Sequence, residues 1–141
     1  MNLLYYKKVH PYADNLDYAK PGDAGLDLAV QSEVVLLPEE KRMIGTGIAV
    51  KIPSNHFGML VPRSSCGKLG IGLANTVGII DSQYTGEIIL FVKNLNNTVL
   101  KLGPKQRIAQ LIVVPFAQCL INKVEELEVT ERGDGGFGHT G

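Results

Sequence analysis

The 141-residue sequence predicts an all-β domain, a sandwich or a barrel. Short apolar and β-branched runs recur along the chain. Turn residues separate them at roughly 8–12-residue intervals. Helix signal is weak throughout, and the 16 glycines suit many tight turns. The length fits one domain with a single core, with no internal repeat and no second domain.

In chain order, strands are expected at Val34–Leu37, Thr46–Ile52, Phe57–Val61, Glu87–Asn94 and Arg107–Phe116. Turn material bounds them: "KPGDAG", "IPSN", "NLNNT" and "LGPKQ". A helical turn or two is expected after "RSSCGKLG", with Ser64 or Ser65 as its cap. The stretch from Leu73 to Ile88, flanked internally by Gly78 and Gly86, reads as a β-hairpin with close backbone approach. "IILFVKN" and "IAQLIVVPF" are apolar beyond simple alternation, which implies strands buried on both faces and, for a chain of this size, an interface between copies. Lys123 to Gly133 reads as a charged connector to a mobile, glycine-rich end.

Composition narrows the function classes. Lys plus Arg and Asp plus Glu balance at 14 each, so no general pull on nucleic acid is expected, and an anionic ligand must meet a few local cations or an added metal ion. No apolar run approaches the ~18 residues of a membrane span. "MNLLYYKKVH" shows no cleavage pattern, so the expectation is an intracellular, cytoplasmic protein without membrane contact. Cys66 and Cys119 are then expected as reduced thiols, one or both buried. No CxxC or HExxH spacing points to zinc.

Five segments carry candidate chemistry. "DAGLDL" sets Asp23 and Asp27 four apart around a glycine, as a turn entering a strand or as a carboxylate held for a metal-bound water or an arginine. "PRSSCGKLG" offers the Arg63 guanidinium and the Ser64 and Ser65 hydroxyls, as an anion site or as an ordinary capped turn. "LANTVGIIDSQYTGEI" places Asp81 after two isoleucines, a costly setting for a carboxylate unless it is paired or catalytic, with Tyr84 three residues on. "RIAQLIV" reads as a core strand with Arg107 and Gln110 as polar members. "RGDGGFGHTG" ends the sequence as a frayed tail, as an adhesion tripeptide of the extracellular kind, or as a glycine nest around phosphate, with Arg132 and Thr140 as donors and Phe137 as a cover.

In this order and at these spacings, the five segments resemble the five motifs of the homotrimeric deoxyuridine triphosphatase (dUTP diphosphatase) family, over residues 23 to 141. The resemblance implies a β-clip fold, a distorted jelly-roll barrel over residues 1–131, with residues 132–141 as a lid. It implies a homotrimer with shared active sites, each closed by the tail of a third chain. The implied reaction is hydrolysis of dUTP to dUMP and pyrophosphate by water attack on the α-phosphorus, which keeps uracil out of DNA and supplies dUMP for thymidylate synthesis.

By motif position, Asp81 matches the residue that orients and deprotonates the water, and Tyr84 the residue that packs on the deoxyribose and excludes a 2′-hydroxyl. Asn75, Gly78 and Ile80 match the segment that reads uracil, largely through backbone groups. Arg63, Ser64, Ser65 and Gln110 match phosphate or water contacts. Asp27 matches the carboxylate that meets the water shell of Mg²⁺, the implied cofactor. Arg132 matches the γ-phosphate ligand and Phe137 the residue stacked on uracil, with Gly138, His139 and Thr140 completing the lid. His139 departs from the family, which usually has serine there.

Two other readings stand beside this one. dCTP deaminase shares the fold but carries a glutamate about where Phe91 stands. A trimeric module that binds nucleotide or a protein partner as a regulator would not need catalysis at all.

Overall fold

The computed structural model describes residues 2–138. Its strands are β1 (Tyr5–Lys8), β2 (Leu26–Ala29), β3 (Val34–Leu36), β4 (Lys41–Lys51), β5 (His56–Pro62), β6 (Ile71–Leu73), β7 (Gly78–Ile80), β8 (Glu87–Asn94), β9 (Leu100–Leu102) and β10 (Arg107–Pro115), with one helical turn, α1 (Cys66–Leu69). Two four-stranded sheets, ordered β1-β4-β8-β6 and β2-β10-β5-β7, are joined by a two-stranded ribbon of β3 and β9. Every registered pair is antiparallel.

The strands follow from alternation. β8 reads Ile88, Leu90 and Val92 inward and buried, with Ile89, Phe91 and Lys93 outward. Leu28, Leu36, Ile52, Leu60, Leu102 and Leu111 complete one continuous core between the sheets. Burying a side chain of this size contributes about 1.5–3 kcal/mol.

The buried polar groups of this core are paired. Asn94, fully buried, donates from Nδ2 to the carbonyls of Leu36, Leu37 and Thr98, and so ties the end of β8 to β3 and the following loop. In β4 the register slips between Gly45 and Ala49, where Thr46 Oγ1 donates to the Ile88 carbonyl at 2.8 Å and Glu87 Oε2 accepts from the Gly47 amide at 2.8 Å.

All five expected strands are present, but two expectations fail, the hairpin and the side-chain cap. The Leu73–Ile88 segment is not a hairpin. β7 pairs with β5 in one sheet while β8 pairs with β4 and β6 in the other, so the segment crosses between sheets. Within one chain β8 buries a single face, its outward residues half-buried or, like Ile89, exposed, and β10 doubles its burial only at Ile108–Ala109, where a bulge sits. Ser65 occupies the cap position of α1 in helical backbone (φ −71°, ψ −16°) and makes no side-chain cap bond. One turn is too short to depend on a cap.

After β10 the described chain forms no further strand, and residues 116–134 are exposed throughout.

Candidate active site

β2, β10 and β5 bring the first group together. Asp27 pairs with Gln110, and Gln110 with Val61, so Asp27 and Gln110 stand side by side, and Arg63 follows where β5 ends at Pro62. Asp27, Arg63, Ser64 and Gln110, with Asp23 and Gly25, line one recess of about 230 Å³. Asp27 is central: its Oδ1 forms an ion pair with Arg63 Nε at 3.0 Å, and its Oδ2 accepts from Arg107 Nη1 at 3.5 Å. The Arg63 amide donates to the Ile108 carbonyl at 3.2 Å, which fixes the start of that side chain.

Asp23 has the bland role, since its Oδ2 accepts the Lys20 amide at 3.0 Å and closes the turn. Ser65 does not line this recess. Because α1 is a single turn, the cations and hydroxyls here do the electrostatic work and a helix dipole does not.

β7 and the loops around it form the second group. Asn75, Gly78, Ile80, Asp81 and Tyr84, with Ile79, line another recess of about 290 Å³. A tight turn leads into it: the Val77 amide donates to the Asn75 carbonyl at 2.7 Å, and Thr76 holds φ 67°, a left-handed conformation rare for a β-branched residue. A Cβ on Gly78 would lie 3.0 Å from Leu60 Cβ, so a larger residue there would push β7 and β5 apart by a few tenths of an ångström. The Ile80 side chain is buried in the core, leaving its backbone for any ligand, whereas the Ile79 side chain is 62% exposed.

Tyr84 is pinned. Its hydroxyl donates to the Glu87 carbonyl at 2.6 Å and its amide to the Asp81 carbonyl at 3.0 Å. Lys51 Nζ donates to the Ser82 carbonyl at 2.8 Å and holds the loop after Asp81. Asp81 is exposed and forms no ion pair among the described residues, so within one chain the apolar setting expected from its two preceding isoleucines does not arise.

The two recesses share no residue. Ile80, just before Asp81, pairs with Gly58, and Arg63 lies five positions farther on, one past the end of β5. At about 3.4 Å per residue that is roughly 17 Å. Arg132, Phe137 and Gly138 line neither recess. Arg132 Nε instead donates to the Gly135 carbonyl, Phe137 is fully exposed, and Gly133 and Gly138 use positive φ (58° and 76°). His139 and Thr140 lie outside the described residues.

Cys66 is buried, donating from Sγ to the Ile108 carbonyl at 3.0 Å, and burial pushes its thiol up; Cys119 is exposed. No described helix is long and apolar enough to cross a membrane.

Three residues of this surface escape a reading of the sequence. Arg107 reaches Asp27 because of the β10 bulge, which no residue type announces. Ile79 and Lys51 look like ordinary strand members, and only the crossover of β7 into the second sheet gives them a recess to line or a loop to hold.

The family model described as dUTPase matches residues 12–141. A deoxyuridine 5′-triphosphate nucleotidohydrolase of Clostridium kluyveri is 42% identical over 139 residues, covering 98% of this chain and 97% of the relative. One of Tolumonas auensis is 44% identical over 129 residues, covering 89% of this chain and 85% of the relative. Among solved structures, the dUTPase of Staphylococcus bacteriophage 80alpha with dUpNHpp superposes with a TM-score of 0.91 at 29% identity, covering 100% of this chain and 99% of the other. The dUTPase of phage phi11 of Staphylococcus aureus superposes with a TM-score of 0.83 at 25% identity, covering 92% of this chain and 100% of the other. The fold, the order of the five segments and these matches agree, and the chain belongs to the dUTPase family.

Proposed function

We infer that this protein hydrolyses dUTP to dUMP and pyrophosphate, and that it does so in a homotrimer whose active sites lie between chains. The observation that carries the assembly is the separation of the two recesses, whose Arg63 and Ile80 positions lie roughly 17 Å apart, with Asp81 one residue farther still. A general base must come within hydrogen-bond reach of the attacking water, which in turn sits at the α-phosphorus held by the phosphate ligands. The recess of Arg63, Asp27 and Gln110 on one copy facing the recess of Asp81 and Tyr84 on another satisfies both.

The arm after β10 supports the same reading. Leu120, Ile121, Leu127 and Val129 are at least 85% exposed, an apolar surface that a lone chain leaves in water. The arm crosses a neighbouring copy, residues 1–131 form the barrel, and residues 132–141 act as a lid that orders over bound nucleotide.

The chemistry follows from charge and position. Arg63, Ser64 and Gln110 hold the triphosphate, with Ser65 and its neighbouring amides beside them. The Asp81 carboxylate, held by its loop, aligns a water and accepts its proton as the oxygen bonds to the α-phosphorus. The bond from that phosphorus to the bridging oxygen breaks, and pyrophosphate leaves. Arg132 neutralises the terminal phosphate, with Gly138, His139 and Thr140 closing the lid, and Phe137 covers the uracil. Positioning and charge stabilisation are most of what phosphoryl transfer requires.

A divalent ion fits the donor set only indirectly. Among the described residues no group of three or more His, Cys, Asp or Glu side chains gathers to hold one. Asp27 is the carboxylate left in the phosphate recess once Asp23 has closed its own turn, which suits an ion held mainly by phosphate oxygens and reached through water. Mg²⁺ fits that description, and bound there it would screen the triphosphate charge.

Specificity comes from the second recess. Backbone groups between Asn75 and Ile80 read uracil, and the close approach of β7 to β5 leaves no room for a thymine methyl. Tyr84 fills the space of a 2′-hydroxyl. The test is pyrophosphate release with dUTP against dCTP, dTTP and UTP in the presence of Mg²⁺. Efficient release from dUTP alone is expected. Ammonia release from dCTP would instead indicate a deaminase, and no turnover would leave a nucleotide-binding module.

A further inference from the structure

We propose that Arg107 is a positioning residue: it holds the Asp27 carboxylate in place for the magnesium–triphosphate complex after the nucleotide draws Arg63 away. The proposal rests on the reading of the site above and deepens it.

Asp27 is shared between two guanidinium groups, one on each carboxylate oxygen. Its side chain is only 14% exposed, whereas those of Arg63 and Arg107 are 35% and 55% exposed. The two arginines stand on different sides of it. Arg63 lines the phosphate recess beside Ser64 and Gln110. Arg107 does not, and instead lines a separate polar recess of about 280 Å³ with Asp14, Asp17 and Gln31, for which Asp27 forms a common wall.

Their tasks therefore divide. A triphosphate entering the first recess competes with Asp27 for Arg63 and outbids it, because it carries about four charges against one. Without Arg107, Asp27 would then be a nearly buried carboxylate with no cation beside it and several phosphate charges nearby. Such a group rotates away toward water unless a second cation stays with it. Arg107 is that cation, and its place behind the carboxylate keeps it clear of the phosphates. The bulge between Arg107 and Ala109 is what turns Arg107 toward Asp27, and the Arg107 carbonyl faces Arg63 Nη1 at 3.5 Å, so the three residues are coupled through one short segment.

The experiment titrates Mg²⁺ against binding of the α,β-imido analogue of dUTP, followed by calorimetry on the assembled protein. In R107Q, the Mg²⁺ concentration for half-maximal analogue binding is expected to rise roughly tenfold, the scale for losing a group that orients a metal-facing carboxylate. Analogue affinity in EDTA is expected to stay within about twofold, since no phosphate contact is lost. R107K, which keeps the charge but not the fork, is expected to fall between, and it decides the matter by the same titration if R107Q does not assemble.

An unchanged Mg²⁺ requirement in these variants would overturn the proposal. So would an equal loss of affinity with and without Mg²⁺, which would make Arg107 a phosphate ligand. Failure of the unaltered protein to bind the analogue would instead remove the functional reading beneath it.

Discussion

Gly25 separates the two aspartates of the first motif, and an alanine there tests how the phosphate recess is built. A Cβ on Gly25 would lie 2.1 Å from Gln110 Oε1, 2.9 Å from Gln110 Cδ and 3.0 Å from Gln110 Cβ. The first two contacts are relieved if the Gln110 carboxamide swings out of the recess. The third is not, because Cβ is fixed to β10, which pairs with both β2 and β5. The strands must part by a few tenths of an ångström, and overpacking of this kind costs about 1–3 kcal/mol. For a domain of this size that lowers the melting midpoint by roughly 3–10 °C.

Turnover falls further, by about 100-fold, because a contact displaced by an ångström or more no longer orients the phosphates. Melting curves and pyrophosphate release for Gly25→Ala, Gln110→Ala and the double variant separate the two effects. In the Gln110→Ala background the stability cost of Gly25→Ala shrinks without vanishing, since the Cβ contact survives, and no further activity is lost. A Gly25→Ala protein with the melting point and kinetics of the parent would refute this account of the recess, and equal costs in both backgrounds would show that Gln110 is not what the new methyl meets.

Asp81→Asn is expected to retain the imido analogue while turnover drops at least ~100-fold, as measured by isothermal binding beside a pyrophosphate assay; intact turnover ends its role as base. Tyr84→Phe removes the 2.6 Å bond to the Glu87 carbonyl, so the ring is held less firmly and the preference for dUTP over UTP falls several-fold, with Tyr84→Ala falling further; the ratio of kcat/KM values reports it, and an unchanged ratio in the alanine variant contradicts the steric model. Deleting residues 132–141 should preserve the trimer by sedimentation and abolish most hydrolysis; normal kinetics would dispose of the lid.

Cys66, although close in sequence to Arg63 and Ser64, is buried and not a probe of nucleotide occupancy, so alkylation of the native protein should label Cys119 alone, with or without dUTP. The folded state holds the Cys66 proton more tightly than the unfolded chain does, so its contribution is complete below the ordinary thiol range and declines as pH rises through it. Urea titrations of Cys66→Ala, which lacks this slope, check the sign.

How much of this was legible follows from what sets each feature. The expected strands at Glu87–Asn94 and Phe57–Val61 are found at Glu87–Asn94 and His56–Pro62 because β-branched runs between turn residues need little tertiary help. β1 (Tyr5–Lys8) is exposed throughout, so it carries no burial pattern to read, and β6, β7 and β9 are three residues each, too short for a period. The hairpin failed at Leu73–Ile88 because glycine-flanked apolar runs announce a turn but not which sheet receives each arm. Asp27, Arg63 and Gln110 converge, as the resemblance implied, through the register of β2 against β10 and β10 against β5, which pattern alone does not set. The alternatives for Asp23 and Asp27 separated only with coordinates, one closing a turn and the other meeting arginines.

The division of the site has its own physical sense. The phosphate recess is a cluster of full charges, with Asp27 between two guanidinium groups, while the other recess is walled by Leu60, Ile79, Ile88 and Ile89. Placed together in one folded chain, the charges would have to be desolvated against the apolar wall before any ligand arrived, at several kcal/mol per ion. Placed on different strand ends, each recess folds beside water, and Asp81 remains exposed until another surface covers it. On the proposed assembly, desolvation would come with association and lid closure, when triphosphate charge is present to compensate the cations. In that assembly, a chain built this way would gain its dry, charge-matched site from association, and the exposed Leu120, Ile121, Leu127 and Val129 of the arm after β10 would supply part of the free energy for that step.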